Sequence, residues 1–569
     1  MMEYKRYLIT AALPYANGPL HIGHLAGCYL PADIYVRYLR SRDRDVKFIC
    51  GSDEHGVPIT IRAIRENTTS QNVVDLFHST LKKSFENIDI SFDIFSRTTS
   101  EIHRKTSQDF FLRLYEKNVF EEKETEQFYD VEKSIYLADR YIIGVCPFCQ
   151  YDNAYGDQCE KCGNTLSPEQ LINPKSALTN STPIKKKTKH WFFPLNKFES
   201  WLRDWILVDK KDKWKINVYN QCKSWLDQGL QPRSITRDSD WGVPVPLEDA
   251  IGKVLYVWFE APIGYISATK ELTDNWEKYW KQKDTKLIHF VGKDNIVFHC
   301  IIFPAMLKSY GNFILPDNIP ANEFLNIEGK KVSTSRNWAV WVDDFIQDFK
   351  DSEDVLRFIL CSNSPETKDF DFTWKDFQDR NNNELVATFG NFIHRTLILT
   401  QKFCNGKVPV FSEDTLSSED RVIMEEIVNT KKIVESNIEL FKFKNALFDI
   451  IELSRKGNKF LQDVSPWILA KSINEENNNR VIIDNCLHIC LQAIANIAYY
   501  INPFLPRTAN KLSFLIGTQT TNFQWDYCGK FNLLSSGTLL PTPEILFRKI
   551  EDEEIEFQIQ KLKGETHVK

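Results

Sequence analysis

The chain has 569 residues, 42% hydrophobic and 26% charged, an ordinary globular balance long enough for roughly three or four domains. A net charge of −6 and a sequence pI of about 6.1 exclude a uniformly basic nucleic-acid-binding chain, while leaving room for local basic tracks. No run approaches the ~18 consecutive apolar residues of a membrane span, the N-terminus has no signal-peptide pattern, and 13 cysteines without a secretory signal read as reduced thiols plus a metal site. The expected compartment is therefore the cytoplasm, with no membrane partner.

Four short apolar runs, 7–13, 46–50, 254–259 and 287–291, have the length and the β-branched or aromatic content of buried strands. Each precedes a helical pattern, which predicts a doubly wound α/β sheet. Beyond the runs lie, in turn, Pro14 to Pro19 with His21 and His24, Gly51 to Gly56, Glu260 to Tyr265, and Gly292 to Asp294. Ligands of open parallel sheets bind beyond the carboxyl ends of the strands, so these exits point to one shared site. The two sheet halves are separated by an insert at 118–235. From 382 onward the pattern changes to long amphipathic helices at 385–403, 420–441, 444–462 and 481–501, a separate bundle.

The first exit is a loop followed by a helix start, with Pro19 suited to the first turn. A helix N-terminus offers free amides to phosphate, and His21 and His24, spaced i and i+3, share one face of it. Neither a GxxxxGK[ST] loop nor a GxGxxG fingerprint is present. A second segment, Gly329-Lys330-Lys331-Val332-Ser333-Thr334-Ser335-Arg336, combines a glycine, hydroxyls and cations suited to a triphosphate. In the insert, Cys146, Cys149, Cys159 and Cys162 form a CxxC…CxxC pattern with nine residues between the pairs. Four thiolates at that spacing close a tetrahedral shell, so one zinc is expected there, structural rather than catalytic.

His21-Ile-Gly-His24 and Lys331-Val-Ser333-Thr334-Ser335 resemble the HIGH and KMSKS signatures of class I aminoacyl-tRNA synthetases, the second with threonine where the family has its second lysine. Lys330 or Arg336 is then expected to supply the missing charge. The segments 12–18, 51–56, 256–265 and 292–299 resemble the pocket segments of methionyl-tRNA synthetases, and the likeness runs along most of the chain in the family's order.

The resemblance implies a methionine pocket of Leu13, Tyr15, Trp258, Pro262, Tyr265, Phe298 and His299, with Asp53 pairing with the substrate ammonium. Aromatic edges suit a polarizable thioether, and the ammonium pair is a charge-assisted bond. It implies ATP contacts from His21, His24, Gly292, Asp294, Lys331, Ser333, Thr334 and Ser335, with Mg²⁺ accompanying ATP, and Arg237 facing the same site. His21, His24 and Lys331 would be the catalytic donors. In the bundle, Asn391, Arg395, Pro466 and Trp467 match the family's anticodon-reading positions, residue types that stack on splayed RNA bases and bond their edges.

The expected fold is a Rossmann-like doubly wound sheet with an inserted zinc-knuckle connective domain and a C-terminal α-helical anticodon-binding bundle. The expected domains are 1–117 and 236–323 (catalytic halves), 118–235 (insert), 324–381 (link with the KMSKS-like loop) and 382–569 (bundle). The expected activity joins L-methionine, ATP and tRNA(Met), with no DNA partner. Three rivals weigh against it. Leucine, isoleucine and valine enzymes need a larger editing insert. Cysteinyl enzymes place a zinc-binding cysteine where Leu13-Pro14-Tyr15 stand. A catalytically silent RNA-binding relative is opposed by the complete HIGH sequence and favoured only by Thr334. The C-terminal tRNA-binding and dimerisation module of some relatives is not expected.

Overall fold

The computed structural model describes residues 4–564 apart from 157, 158, 160, 163, 165, 335, 336, 474–477 and 519. Its centre is a five-stranded parallel sheet in the order Ala321–Asn322, Thr285–Gly292, Arg6–Ala11, Asp45–Ser52, Ile94–Arg97. Leu8, Ile9, Phe48, Ile49, Leu287 and Ile288 are fully buried, as near-continuous apolar strands covered on both faces require. Arg6–Ala11 lies between Asp45–Ser52 and Thr285–Gly292, so strand order reverses at its carboxyl end. This is the switch point at which such sheets bind ligands.

Three of the four expected strands belong to this sheet. The run 254–259 does not. Lys253–Leu255 pairs antiparallel with Thr236–Asp238 in a separate two-stranded sheet, and the chain then turns into the helix Val257–Glu260. Apolar, aromatic composition over so short a run fits a buried helical turn as well as a strand. The two edge strands, Ile94–Arg97 and Ala321–Asn322, are too short and polar to stand out. Pro19 precedes the first helix, which starts at Ile22 with His21 as its N-cap, takes a π turn at Leu25–Tyr29 and continues as Leu30–Ser41.

In the insert, Glu121–Asp130 pairs antiparallel with Ile184–Phe193, setting Glu126 opposite Lys187 and Glu124 opposite Lys189. Lys187 and Lys189 of the lysine-rich stretch are thus matched by acidic residues across the ladder, while Lys185 and Lys186 face Phe128 and Gln127. A three-stranded sheet of Ala154–Tyr155, Ile142–Val145 and Ile172–Ser176 carries the cysteine cluster.

The bundle comprises Asn391–Cys404, Ser418–Glu439, Phe443–Val464, Asn479–Ile501 and Pro506–Leu515. Asn479–Ile501 is long and apolar enough to cross a membrane by length and composition, yet 83% of its apolar window is buried inside the protein. Its interior amides clamp a loop. Gln492 donates to the Leu534 carbonyl at 2.8 Å and accepts from Leu533 N–H at 2.9 Å, while Asn496 donates to the Lys530 carbonyl and accepts from Gly529 N–H. It is a core helix whose buried polar groups are satisfied.

Candidate active site

Four strand exits converge. At the first, His21 and His24 stack with ring centroids 3.6 Å apart and 20° between planes. His21 Nδ1 accepts the His24 backbone N–H and His24 Nδ1 accepts that of His21, each at 3.3 Å. This reciprocal cap leaves the proton of each neutral ring on Nε2, so both rings retain an Nε2–H donor. Burial lowers both pKa values, that of His21 further through the charge of His24, and that of His24 to about 4. A Cβ on Gly23 would meet His21 Nδ1 at 3.0 Å, so a side chain there would press on the His21 ring.

The second signature folds as a hairpin beside the first. Leu325–Ile327 pairs with Lys330–Lys331, and Ser333 and Trp338 exchange backbone bonds of 2.9 and 3.0 Å. The hairpin is tied to the histidine loop: Ile22 N–H donates to the Val340 carbonyl at 3.0 Å, Val342 N–H to Leu20 at 2.9 Å, and the His21 and Trp341 rings lie 6.0 Å apart. Lys331 and Thr334 are exposed. Lys330 lies over the Trp338 ring, 4.4 Å from its centroid. Ser335 and Arg336 lie outside the described residues.

At the second exit, Tyr15 and Asp53 are bridged through their backbones. Asp53 N–H donates to Pro14 and Ala16 N–H to Asp53, both at 2.8 Å. The Asp53 Oδ1 atom is buried without a hydrogen-bond partner. Burial, then the charge of Glu260, raises the Asp53 pKa well above its ordinary value. A carboxylate held in this way favours an arriving cation.

The remaining expected pocket residues gather nearby. Tyr265 donates to His299 Nε2 at 2.8 Å, and His299 Nδ1 donates to the Asn295 carbonyl at 2.9 Å. That carbonyl fixes the tautomer, so the Tyr265 proton is committed to His299. Leu13 Cδ1 lies 3.1 Å from where a Gly264 Cβ would stand, and Pro262 caps the helix Ile263–Leu272. Trp258, 50% exposed, packs on Phe298 with centroids 4.5 Å apart. Arg237 lies 3.8 Å over the Tyr256 ring, which touches Trp258 in turn. Asp294 sits over Gly292, where a Cβ would meet Asp294 Oδ1 at 2.8 Å.

Several residues at this site were not anticipated. Glu260 is fully buried between His55 and His103, and His289 bonds Thr10 while its Nε2 stays buried and unpartnered. Glu260 and His55 lie inside segments the sequence already marks, but nothing local reveals that they meet.

Away from the sheet, Asn391, Arg395 and Trp467 share one face of the bundle. Arg395 lies 5.2 Å from the Trp467 ring centroid and donates to Gln462 at 3.3 Å. Asn391 donates to Asn458 at 3.3 Å. Pro466 opens the helix Pro466–Leu469 after Ser465, whose φ of +49° turns the chain sharply. Asn458 and Gln462, unanticipated, complete the face. In the insert, the sulfurs of Cys146, Cys149, Cys159 and Cys162 all lie within 4.8 Å of one another, with Cys146 to Cys162 at 3.8 Å and Cys149 to Cys159 at 3.6 Å.

The model for class I tRNA synthetases (M) matches residues 7–397, and that for the anticodon binding domain of methionyl tRNA ligase matches 410–567. The chain is 58% identical over 561 residues to the methionine–tRNA ligase of Bacteroides fragilis (strain YCH46), covering 98% of this chain and 81% of the relative. It is 57% identical, with the same coverage, to that of Porphyromonas gingivalis (strain ATCC 33277). Its fold resembles Mycobacterium tuberculosis methionyl-tRNA synthetase in complex with methionyl-adenylate, with a TM-score of 0.79 at 24% identity over 95% of this chain and 99% of that one. With both family models and near full-length relatives in agreement, the chain belongs to the methionine–tRNA ligase family of class I aminoacyl-tRNA synthetases.

Proposed function

We infer that this chain activates methionine with ATP and transfers the methionyl group to tRNA(Met). The observation that carries the reading is the buried Asp53 carboxylate, whose Oδ1 has no hydrogen-bond partner, on a turn bridged to Tyr15 at the exits of the central sheet. Asp53 receives the substrate ammonium. Leu13, Tyr15, Trp258, Pro262, Tyr265, Phe298 and His299 enclose the thioether, which needs contact area and ring edges rather than a donor. The methionine carboxylate attacks the α-phosphorus of ATP. A new P–O bond forms, the bond to the bridging oxygen breaks, and pyrophosphate leaves with the electron pair.

No side-chain nucleophile takes part, so acceleration comes from positioning and from donors aimed at developing phosphate charge. His21 and His24 supply Nε2–H donors without their own charge, and Lys331 brings a cation on the adjoining hairpin. Gly292, Asp294, Ser333, Thr334 and Ser335 complete the ATP contacts, Arg237 faces the site, and Mg²⁺ enters with the nucleotide. In the second step the terminal adenosine 2′-hydroxyl of tRNA attacks the acyl carbon and AMP leaves. Asn391, Arg395, Pro466 and Trp467 read the anticodon. The cytoplasm is the compartment this reaction implies.

The cysteine cluster fits zinc. A Zn–S bond of about 2.3 Å in a tetrahedron sets sulfurs about 3.8 Å apart, close to the two separations above. With four protein ligands the ion would be structural, tethering the small sheet of the insert. Domain limits at 117, 235, 323 and 381 follow the same reading. Methionine-dependent ATP–pyrophosphate exchange tests it: exchange with methionine and none with leucine or cysteine is expected, and no exchange with any amino acid would leave a silent RNA-binding relative.

A further inference from the structure

We propose that Glu260 is the positioning residue of the ammonium site, holding His55 and through it the 53–56 turn that presents the Asp53 carboxylate. The proposal rests on the reading of Asp53 given above. Glu260, fully buried, ends the short helix Val257–Glu260. Its Oε1 accepts from His55 Nδ1 at 2.9 Å, and Oε2 lies 2.5 Å from His103 Nε2. His103 Nδ1 reaches Ser267 Oγ at 3.0 Å, and Ser267 donates to the Gly264 carbonyl. Glu260 is thereby anchored to two helices, Glu101–Glu116 and Ile263–Leu272, that belong to neither side of the turn it holds.

The turn itself is pinned at nearly every polar group. The Asp53 backbone is bonded to Pro14 and Ala16. Glu54 N–H donates to Thr98 Oγ1 and its carbonyl accepts from the Trp241 indole, both at 2.9 Å. The Tyr15 hydroxyl donates to the His55 carbonyl. Asp53 precedes His55 by two residues within this fixed turn, so the seating of the His55 ring bears on where the carboxylate is presented. The Gly56 backbone, at φ +106°, leaves no room for a side chain, because a Cβ would lie 2.5 Å from the Tyr15 hydroxyl. Two side chains of the turn are held by an opposite charge or a charged acceptor: Glu54 by Arg97 at 2.8 Å, and the His55 ring by Glu260. A carboxylate accepts from both imidazoles at once, one on each oxygen, and as an ionised acceptor makes the stronger bonds. Glu260 is fully buried and its contact with the turn is made through His55, which makes it a positioning residue.

The test uses the full chain with Glu260→Ala, Glu260→Gln, His55→Gln and Asp53→Asn in pyrophosphate exchange, with 4-(methylthio)butanoate, methionine without its ammonium, as competitive inhibitor. Glu260→Ala is expected to raise KM for methionine by about 10- to 100-fold, the effect of one misplaced charge-assisted hydrogen bond. The KM for ATP, kcat and the inhibition constant of the deaminated analogue should each move by less than about threefold. Glu260→Gln, which keeps an acceptor for His55, should fall between wild type and alanine, and His55→Gln should follow the alanine pattern. A methionine KM unchanged in both Glu260 variants would overturn the proposal, as would methionine and the deaminated analogue weakening equally. If Glu260→Ala does not fold, the glutamine variant and His55→Gln decide on the same criteria. An Asp53→Asn variant with wild-type methionine KM would instead sink the ammonium reading itself.

Discussion

The candidate active site and the candidate anticodon face hold their polar groups in opposite ways. At the strand exits, Asp53 Oδ1 and His289 Nε2 are buried and left without partners, while the backbone around Asp53 is bonded to Pro14 and Ala16. On the bundle, the candidate readers are already paired with neighbours, Arg395 with Gln462 and Trp467, Asn391 with Asn458. A small zwitterion has few contacts to offer, so each must meet a group that is desolvated in advance. An anticodon brings large aromatic area, and a reader kept in place by weak, exposed contacts exchanges them for stacking at little cost.

The sharpest way to break this contrast is His24→Ala. It should slow adenylate formation by roughly 10²–10³, the usual loss for one transition-state donor, with methionine affinity nearly unchanged. A variant keeping more than about a tenth of the exchange rate would remove His24 from the list of donors.

The bundle should respond differently. Trp467→Ala should weaken tRNA binding by about 1–3 kcal/mol, the usual stacking increment, and Arg395→Ala similarly, while exchange without tRNA stays at the wild-type rate. Exchange, aminoacylation and melting temperature measured on one preparation decide the matter. Parallel losses in all three would make Trp467 a packing residue and erase the contrast.

What the sequence made legible follows the same division. Groups whose partners are near in the chain could be read directly. The cysteine pairs, the two histidines one turn apart, and Asn391 with Arg395 all announce themselves by spacing. The long helices were visible because a 3.6-residue period accumulates over many turns. By contrast Glu260 meets His55 and His103 across separations of 205 and 157 residues, which no local pattern encodes. The run 254–259 misled because a buried helical turn and a buried strand demand the same apolar side chains. Ile94–Arg97 escaped because Ser96 interrupts an already short strand.

Acid should expose the histidine pair. With the folded His24 pKa at about 4 against an ordinary value near 6.5, the unfolded chain binds more protons between those limits. Stability therefore rises with pH across that window and is lost as pH falls from about 6.5 toward 4. Melting temperature should drop over this range, and His24→Gln should flatten part of the drop; an identical pH profile in the variant would show that other groups control it.

The smallest effect is expected in the insert. Freshly purified, reduced protein should carry about one zinc per chain, and Cys159→Ser should lose it while exchange falls far less than in His24→Ala, since four thiolates leave no ligand position for substrate. Metal analysis finding no zinc in the wild-type protein would refute the assignment.

The sheet order also governs how the protein is made. Arg6–Ala11 pairs on one side with Asp45–Ser52, but its other side waits for Thr285–Gly292, with Arg6 opposite Thr285. During synthesis the apolar edge of the first strand is therefore open until more than half the polypeptide has left the ribosome, and an open parallel edge is a template for wrong pairing. Closing so long a loop adds little to the equilibrium cost, because each doubling of length is worth only about 0.6 kcal/mol. The burden falls on rate instead. Nascent chains stopped before Thr285 should bind holding chaperones, and those extended past Gly292 should release them.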